Sequence, residues 1–501
     1  MSNKFTARIS SLYSNKLFKN SSWGIVSQGA QTVLMSLFFV ILARKYSTEE
    51  FSKYIVATVL YQLITAFSTM GLSQWFVREI AVTKDRNQLV NKFLKIQIYF
   101  GLFFYVVNIG TSLAIYSDHL IYMLSLFVGI NIVFDNIINA IKCLNIADFE
   151  QKKTFVILTI ESVLKFLMAG ALFVYPFSTI VLSIGLILIR FITLNLFLKV
   201  GSSSTVSIKS LWAHKTSYQD VWHLVFLNWP FVVIGGVSII NWRVANILIS
   251  KMLTISDVAT YEIGYKIFSI AQILPVIVST TVFPVLIKIY NEGDMQKFSA
   301  FYRKINLFYL LFGLLSFTFI YSFADFLVPL AFGSKYVLAA YQTKYIFLTI
   351  LIFPTAYLQA NMIIAMNLEK KDMLFNIIMM CINVTACVIG LYYWRSVTAV
   401  SCSIFLSFLV FHILQDALLI KRKIGSLGHA LSFYIITGVI IGAYVFLAQY
   451  LNPYALFAGC WILLGCISIV VFRRRQQGGD NNIKSDDKVF ESKLVPGEQS
   501  V

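Results

Sequence analysis

The chain has 501 residues, of which 58% are hydrophobic and 13% charged, with a mean hydropathy of +0.76. Soluble domains run nearer half apolar and a quarter charged, so a soluble enzyme is excluded and an all-α polytopic membrane protein is expected. The formal net charge of +18 would suit nucleic acid only if the basic residues gathered on one soluble face; here they fall in short loops between apolar runs, so no nucleic-acid partner is expected.

The first 23 residues are polar and basic, and the apolar run that follows ends Ala43-Arg44-Lys45 without a small-residue cleavage pattern. No cleaved signal peptide is expected. At about twenty apolar residues per crossing, fourteen helices are predicted. Twelve lie at 24–43, 54–73, 96–116, 120–141, 154–175, 178–198, 224–250, 263–287, 305–324, 345–365, 374–394 and 397–420, and two more at 431–450 and 453–472. With the N-terminus in the cytoplasm, 30 of the 41 Lys and Arg residues fall in cytoplasmic segments, 6 in outer loops and 5 within spans. A miscounted span would scramble that alternation, so an even number of spans with both termini in the cytoplasm is expected. Residues 1–23 then form a cytoplasmic N-terminus, 24–200 a first lobe, 201–222 a linker and 223–420 a second lobe. Residues 431–472 form an added helix pair, and the Gly-rich polar stretch 473–501 a disordered cytoplasmic tail.

An internal repeat supports two lobes. Ser47-Thr48-Glu49-Glu50 to Tyr54 follows the first span, and Thr254-Ile255-Ser256-Asp257 to Tyr261 follows the seventh, at a constant offset of 207. A hydroxyl three residues before an acid is also a helix-capping pattern, which is the plainer explanation. The equivalent places of the two copies favour two six-helix lobes related by a pseudo-twofold axis, with two C-terminal helices added.

Within the apolar runs the stretch from Trp222 to Lys251 stands out, because it carries Asn228-Trp229-Pro230 and Asn241-Trp242-Arg243 at membrane depth. Polar groups there are costly unless they face a partner or a water-filled cavity, so the stretch reads as the lining of a pathway. Lys165, Arg190, Arg243, Lys266 and Lys344 are the basic residues in or at the margins of spans; Asp135, Glu161, Glu262 and Asp416 are the acidic ones. Glu161 and Lys165 are spaced i,i+4 and can neutralise each other. Lys344 and Glu262 lie near enough to span ends to snorkel. Arg190 and Arg243 have no acidic partner in their own helices. If Arg190, Arg243, Lys165 and Lys266 face one cavity, its sign is positive and it suits an anionic, phosphate-bearing cargo. Glu161 and Asp135 are the candidates for coupling to an ion gradient. Trp229 and Trp242 could stack on sugar rings, although most aromatic residues here are expected to face lipid or the interfaces.

Enzyme signatures are missing: the sequence has no GxSxG, HExxH or Walker A pattern, and its five histidines are scattered without ligand spacing. The six cysteines lie in or beside apolar segments without a CxxC, and they read as small apolar side chains. No catalytic residue, metal or cofactor is expected.

Asn20-x-x-Trp23, the span ending Ala43-Arg44, the turn from Ser47 to Tyr54, Gly71-Leu72 and Arg78-Glu79-Ile80-Ala81 together resemble the N-terminal signature of Wzx-type bacterial polysaccharide flippases. The similarity continues through Phe332-Gly333-Ser334-Lys335-Tyr336 and Leu368-Glu369-Lys370-Lys371 and covers spans one to twelve. The wider superfamily holds the multidrug and toxin extrusion transporters and the lipid II flippase. The resemblance implies two six-helix lobes around a cationic cavity that opens alternately to each side. It implies a cargo of undecaprenyl-diphosphate-linked oligosaccharide, carried to the outer leaflet for O-antigen or a related lipopolysaccharide or surface glycan. Membrane lipid, a polysaccharide polymerase and a chain-length regulator are the implied partners of a monomer. The helix pair at 431–472 departs from the twelve spans of many members.

Two other readings stay open. A multidrug exporter on the same fold would favour an acidic cavity for cationic drugs, whereas this chain has more bases than acids in its spans. A membrane glycosyltransferase or polymerase of the same pathway would carry a large outer loop or an acidic catalytic pair, and neither is evident.

Overall fold

The computed structural model describes residues 16–80, 83–201 and 218–465. The expected N-terminal segment up to residue 15, most of the linker, the end of the last span and the tail lie outside the described residues. Within them every regular element is helical. The first lobe contains α1 (Lys16–Lys45), α2 (Thr48–Ser68), the short α3 (Leu72–Ile80), α4 (Arg86–Ile115), α5 (His119–Gly129), α6 (Asn131–Ala147), α7 (Gln151–Ala171) and α8 (Thr179–Val200). The second contains α9 (Tyr218–Met252), α10 (Ile255–Ala271), α11 (Ile273–Asn291), α12 (Met295–Phe332), α13 (Val337–Ile346), α14 (Phe353–Ala365), α15 (Glu369–Trp394) and α16 (Val397–Lys421). Then come α17 (Leu427–Leu447) and α18 (Pro453–Gly465).

Eleven stretches among the described residues are long and apolar enough to cross a membrane, from Arg86–Ile115 to Leu427–Leu447. Each coincides with a predicted span. The first predicted span lies within α1, a helix of 30 residues, and the second begins in α2, a helix of 21 residues, and runs through the turn at 69–71 to the start of α3. The fourteenth is described only as far as Gly465.

The repeat and the capping pattern turn out to be the same feature. Ser47 caps α2, accepting from the Glu50 amide at 3.1 Å. Thr254 caps α10, and Asp257 Oδ2 accepts from its backbone N–H at 3.0 Å and its hydroxyl at 2.7 Å. One turn further on, the two copies touch: the Ala259 amide donates to Ser52 Oγ at 3.2 Å, and the two residues are separated by the repeat offset of 207. The copies diverge at the acid. Glu50 reaches out of its own cap and accepts from Thr179 N and Oγ1 at 3.1 and 3.0 Å, tying α2 to the start of α8.

This end of the bundle, here called the distal end, closes the two lobes on each other. Arg44 Nε donates to Ala331 O at 2.6 Å, and Lys335 Nζ donates to Tyr46 O at 2.5 Å. Tyr116 OH lies 2.5 Å from Ser250 Oγ, and Lys251 Nζ sits 4.3 Å above the Tyr116 ring while donating to Ile115 O. Side-chain cations thus satisfy carbonyls left orphaned at helix C-termini, which is where a positive charge is favoured. The largest buried apolar cluster lies across this seam, combining Leu42, Phe51 and Val56 with Tyr261, Phe268, Phe317 and Phe332. The added helices pack on α12 through Tyr444 OH to Ser322 Oγ at 2.6 Å and Trp461 Nε1 to Thr318 Oγ1 at 3.0 Å.

Candidate functional site

Two charged clusters flank the space between the lobes. In the first lobe, the Arg190 guanidinium of α8 bridges carboxylates from two neighbouring helices. Its Nε donates to Asp135 Oδ1 of α6 at 2.8 Å, and its Nη1 donates to Glu161 Oε2 of α7 at 2.5 Å. Glu161 is shared: Lys165, one turn along α7, lies 2.5 Å from its other oxygen. Tyr61 of α2 donates to the free oxygen of Asp135. Two cations and two carboxylates cancel, and the planar fork of arginine is what allows one side chain to span both acids.

The second cluster sits on α9 and α10. Arg243 Nη1 donates to Glu262 Oε1 at 2.8 Å, and Asn246 Nδ2 donates to Oε2 at 3.0 Å, so both oxygens of this buried acid are occupied. The Arg243 guanidinium lies 4.7 Å over the Tyr265 ring. Lys266, one turn beyond Glu262, has no carboxylate of a described residue within ion-pair distance; its ammonium lies 5.8 Å from the Phe39 ring of α1. Four cations thus meet three carboxylates, and the surplus positive charge falls on Lys266.

Two recesses open between the lobes at these residues. One, of about 400 Å³, is walled by Tyr61, Gln62 and Thr65 of α2 and by Trp242, Arg243 and Tyr265. The other, of about 330 Å³, is walled by Gln28, Gln31 and Thr32 of α1, Ser162 of α7 and Lys266 and Ser269 of α10. A third cavity of about 370 Å³ lies inside the second lobe, with Asn241, Tyr357, Asn361, Asp372 and Asn376 on its wall, and Trp242 is common to it and the first recess. Asn383 Nδ2 donates to Asn241 Oδ1 at 3.0 Å and to its backbone carbonyl at 2.8 Å, which fixes the amide's orientation. Asn241 Nδ2 is buried without a hydrogen-bond partner among the described residues.

The sequence profile of the family described as polysaccharide biosynthesis protein matches residues 17–290, more than half of the chain. The chain belongs to the polysaccharide biosynthesis protein family. No protein of curated function matches the sequence significantly. Among solved structures, the lipid II flippase MurJ in an inward closed conformation aligns with a TM-score of 0.69 at 15% identity, covering 89% of this chain and 99% of that one. An inward-facing multidrug resistance MATE family transporter of the MOP superfamily aligns at 0.65 with 14% identity, covering 79% and 96%. A MOP superfamily transporter from Pyrococcus furiosus, described as having a binding pocket of reverse polarity, aligns at 0.54 with 12% identity, covering 82% and 97%. At these identities the likeness establishes the fold, which agrees with the two-lobe architecture expected of the family.

For this family member the four cations singled out in the sequence divide into two pairs. Arg243 and Lys266 line the interlobe recesses. Arg190 and Lys165 stand behind them in the first-lobe cluster with Asp135 and Glu161, and that cluster reaches the recess through Tyr61. Glu262 does not snorkel: it is 7% exposed because Arg243 and Asn246 hold it inside. Lys344 reaches the exposed Asp325 carboxylate at 2.6 Å, consistent with its place near a span end. Trp229 is 52% exposed, whereas Trp242 packs among Tyr265, Phe268, Phe353 and Phe408 with ring centroids 5.1 to 6.2 Å away. Sequence reasoning missed Tyr61 and the role of Glu262. A signal for the latter was present, since Glu262 and Lys266 repeat the Glu161 and Lys165 spacing.

Proposed function

We propose that this protein is a flippase, which moves undecaprenyl-diphosphate-linked oligosaccharide repeat units from the cytoplasmic to the outer leaflet of a bacterial inner membrane. The observation that carries the reading is the placement of Arg243 and Lys266 on the walls of the interlobe recesses, with one positive charge unmatched by acid. A diphosphate brings the negative charge such a site lacks, and binding there replaces lost hydration with charge-assisted hydrogen bonds. The amide-lined cavity behind Trp242 offers donors and acceptors suited to sugar hydroxyls, with the part-exposed Asn361 and Asn376 among them. Membership in a polysaccharide biosynthesis family supports a glycan cargo. On this reading the distal end faces outward, and its interlobe contacts close that side while cargo loads from the cytoplasm. Asp135 and Glu161 hold Arg190 and Lys165 in place rather than exchanging ions. The sugar composition, and any work with a polymerase or chain-length regulator, would be set by residues around these cavities.

A strain lacking the gene is expected to accumulate complete single repeat units on undecaprenyl diphosphate while its polymer disappears, with the wild-type gene restoring both. Normal polymer together with altered sensitivity to cationic drugs would move the assignment to an exporter on the same fold.

The closed distal end gives a second expectation. With Ser52 and Ala259 in contact across the seam, the Ser52→Cys/Ala259→Cys variant should form a disulfide under mild oxidation and lower polymer yield at least tenfold, with recovery in reductant. Full yield from fully crosslinked protein would show that the seam does not open during transport.

A further inference from the structure

Three carboxylates are buried among the described residues: Glu161, Glu262 and Asp416. The first two face guanidinium or ammonium groups. Asp416, on α16, has no Lys or Arg of the described residues within ion-pair distance, and its one basic neighbour is His412, a turn earlier on the same helix.

Four helices converge on this carboxylate. Gln359 Nε2 of α14 donates to Asp416 Oδ1 at 2.7 Å and to Tyr302 OH of α12 at 2.8 Å. Tyr434 OH of α17 donates to Asp416 Oδ2 at 2.8 Å. His412 Nδ1 lies 2.6 Å from Tyr434 OH and 3.3 Å from Asp416 Oδ2. The tyrosine has a single proton, and when Asp416 accepts it, the contact with His412 requires a proton on Nδ1. That assignment leaves His412 Nε2 as a bare acceptor, buried and without a partner among the described residues.

The charge balance follows. With neutral His412 and ionised Asp416 the cluster carries one negative charge, held by the Gln359 and Tyr434 donors and matched by no Lys or Arg of the described residues. A single proton removes it, either on the carboxylate or on Nε2, where it creates an ion pair with Asp416. The other charged clusters lack this property, because their acids are already matched by cations. The remaining titratable groups around Asp416 are few. Tyr302 faces it from α12 and Tyr434 from α17. Asp372 of α15 lies beside Gln415, His429 is in the first turn of α17, and Arg303, Lys304, Lys421 and Arg422 are exposed at nearby helix ends.

We propose that Asp416 and His412 form a proton-binding site that couples the transport cycle to the proton gradient, in place of the Glu161 and Asp135 that the sequence suggested. The proposal rests on the flippase reading for its cycle, although proton binding itself does not. The site is placed to act on the cargo path. Gln359 stands on α14 between Tyr357 and Asn361, which line the second-lobe cavity, and Tyr434 belongs to the first added helix. Loss of the proton would therefore be felt both in the cavity wall and in the docking of α17.

The test is an infrared titration of the full-length protein in lipid nanodiscs between about pH 5 and 9, where histidines and buried carboxyls exchange protons. A titrating carboxylic-acid or imidazolium band that disappears in Asp416→Asn or in His412→Gln, and persists in Glu161→Gln, is expected. Tyr434→Phe keeps both titrating groups and should keep the band with a displaced midpoint, which separates loss of the site from loss of the fold. No titrating band assignable to either residue would overturn the proposal. In cells, Asp416→Asn should lower polymer at least tenfold; wild-type polymer from that variant, still abolished by a protonophore, would overturn the coupling role. The infrared titration needs no glycan, so a wild-type gene that fails to clear accumulated repeat units would count against the flippase reading alone.

Discussion

Arg190→Leu is expected to lower the yield of folded protein sharply and to destabilise what folds by about 3–5 kcal/mol, the usual consequence of removing one partner from a buried ion pair. The substitution preserves bulk and apolarity, so packing loss is small. What it leaves behind is the problem. Asp135 retains only the Tyr61 hydroxyl, and Glu161 retains only Lys165, whose ammonium is more strongly hydrated and makes no second bridge. Both carboxylates remain inside a helix bundle with no bulk water to solvate them. Adding Asp135→Asn to Arg190→Leu removes the orphaned charge and should recover most of the lost stability. Thermal unfolding of the purified protein in lipid, followed by intrinsic fluorescence, measures both steps. An unfolding midpoint unchanged in Arg190→Leu would show that the cluster is open to water and contributes little.

Lys266→Met is expected to give the opposite profile, with the fold intact and polymer synthesis reduced at least tenfold. Its ammonium has no carboxylate partner among the described residues, so methionine leaves no buried charge unmatched. The stem it replaces is of similar length and apolar character. The loss should appear only when a diphosphate occupies the recess. One hydrogen bond between charged groups contributes roughly 1.5–3 kcal/mol, which corresponds to about a tenfold to hundredfold change in affinity. Arg243→Gln is a less clean probe, because it strands Glu262 and so mixes stability with binding. Lys266→Arg should retain much of the activity, as the charge persists. Polymer yield from Lys266→Met equal to wild type, at equal protein level in the membrane, would remove Lys266 from the site.

The membrane architecture was legible because hydropathy runs and loop charges are local signals. All eleven long apolar stretches of the structure coincide with predicted spans, and the 47–54 and 254–261 copies meet at Ser52 and Ala259 across the lobe seam. The partners of the buried cations were not legible. Arg190 finds its acids 55 and 29 residues away and Arg243 finds its acid 19 residues away, on helices whose rotation about their own axes no sequence spacing fixes. Glu161 and Lys165 could be paired in advance because they share one helix face, but the sharing of Glu161 with Arg190 needed the packing of α7 against α8. The same reasoning explains Asp416. Its place in or at the margin of a span was legible, but not the Gln359, Tyr302 and Tyr434 side chains from three other helices that enclose it.

Translocation itself is the most direct test of the central claim. Lipid-linked repeat units isolated from the gene-deletion strain can be incorporated into vesicles with purified protein, and the fraction of glycan reached by a membrane-impermeant glycosidase then measured. With wild-type protein the shielded inner-leaflet pool should become accessible over time, and with Lys266→Met it should remain shielded. A pool that stays shielded with wild-type protein, as in protein-free vesicles across imposed proton gradients of either sign, would contradict the assignment.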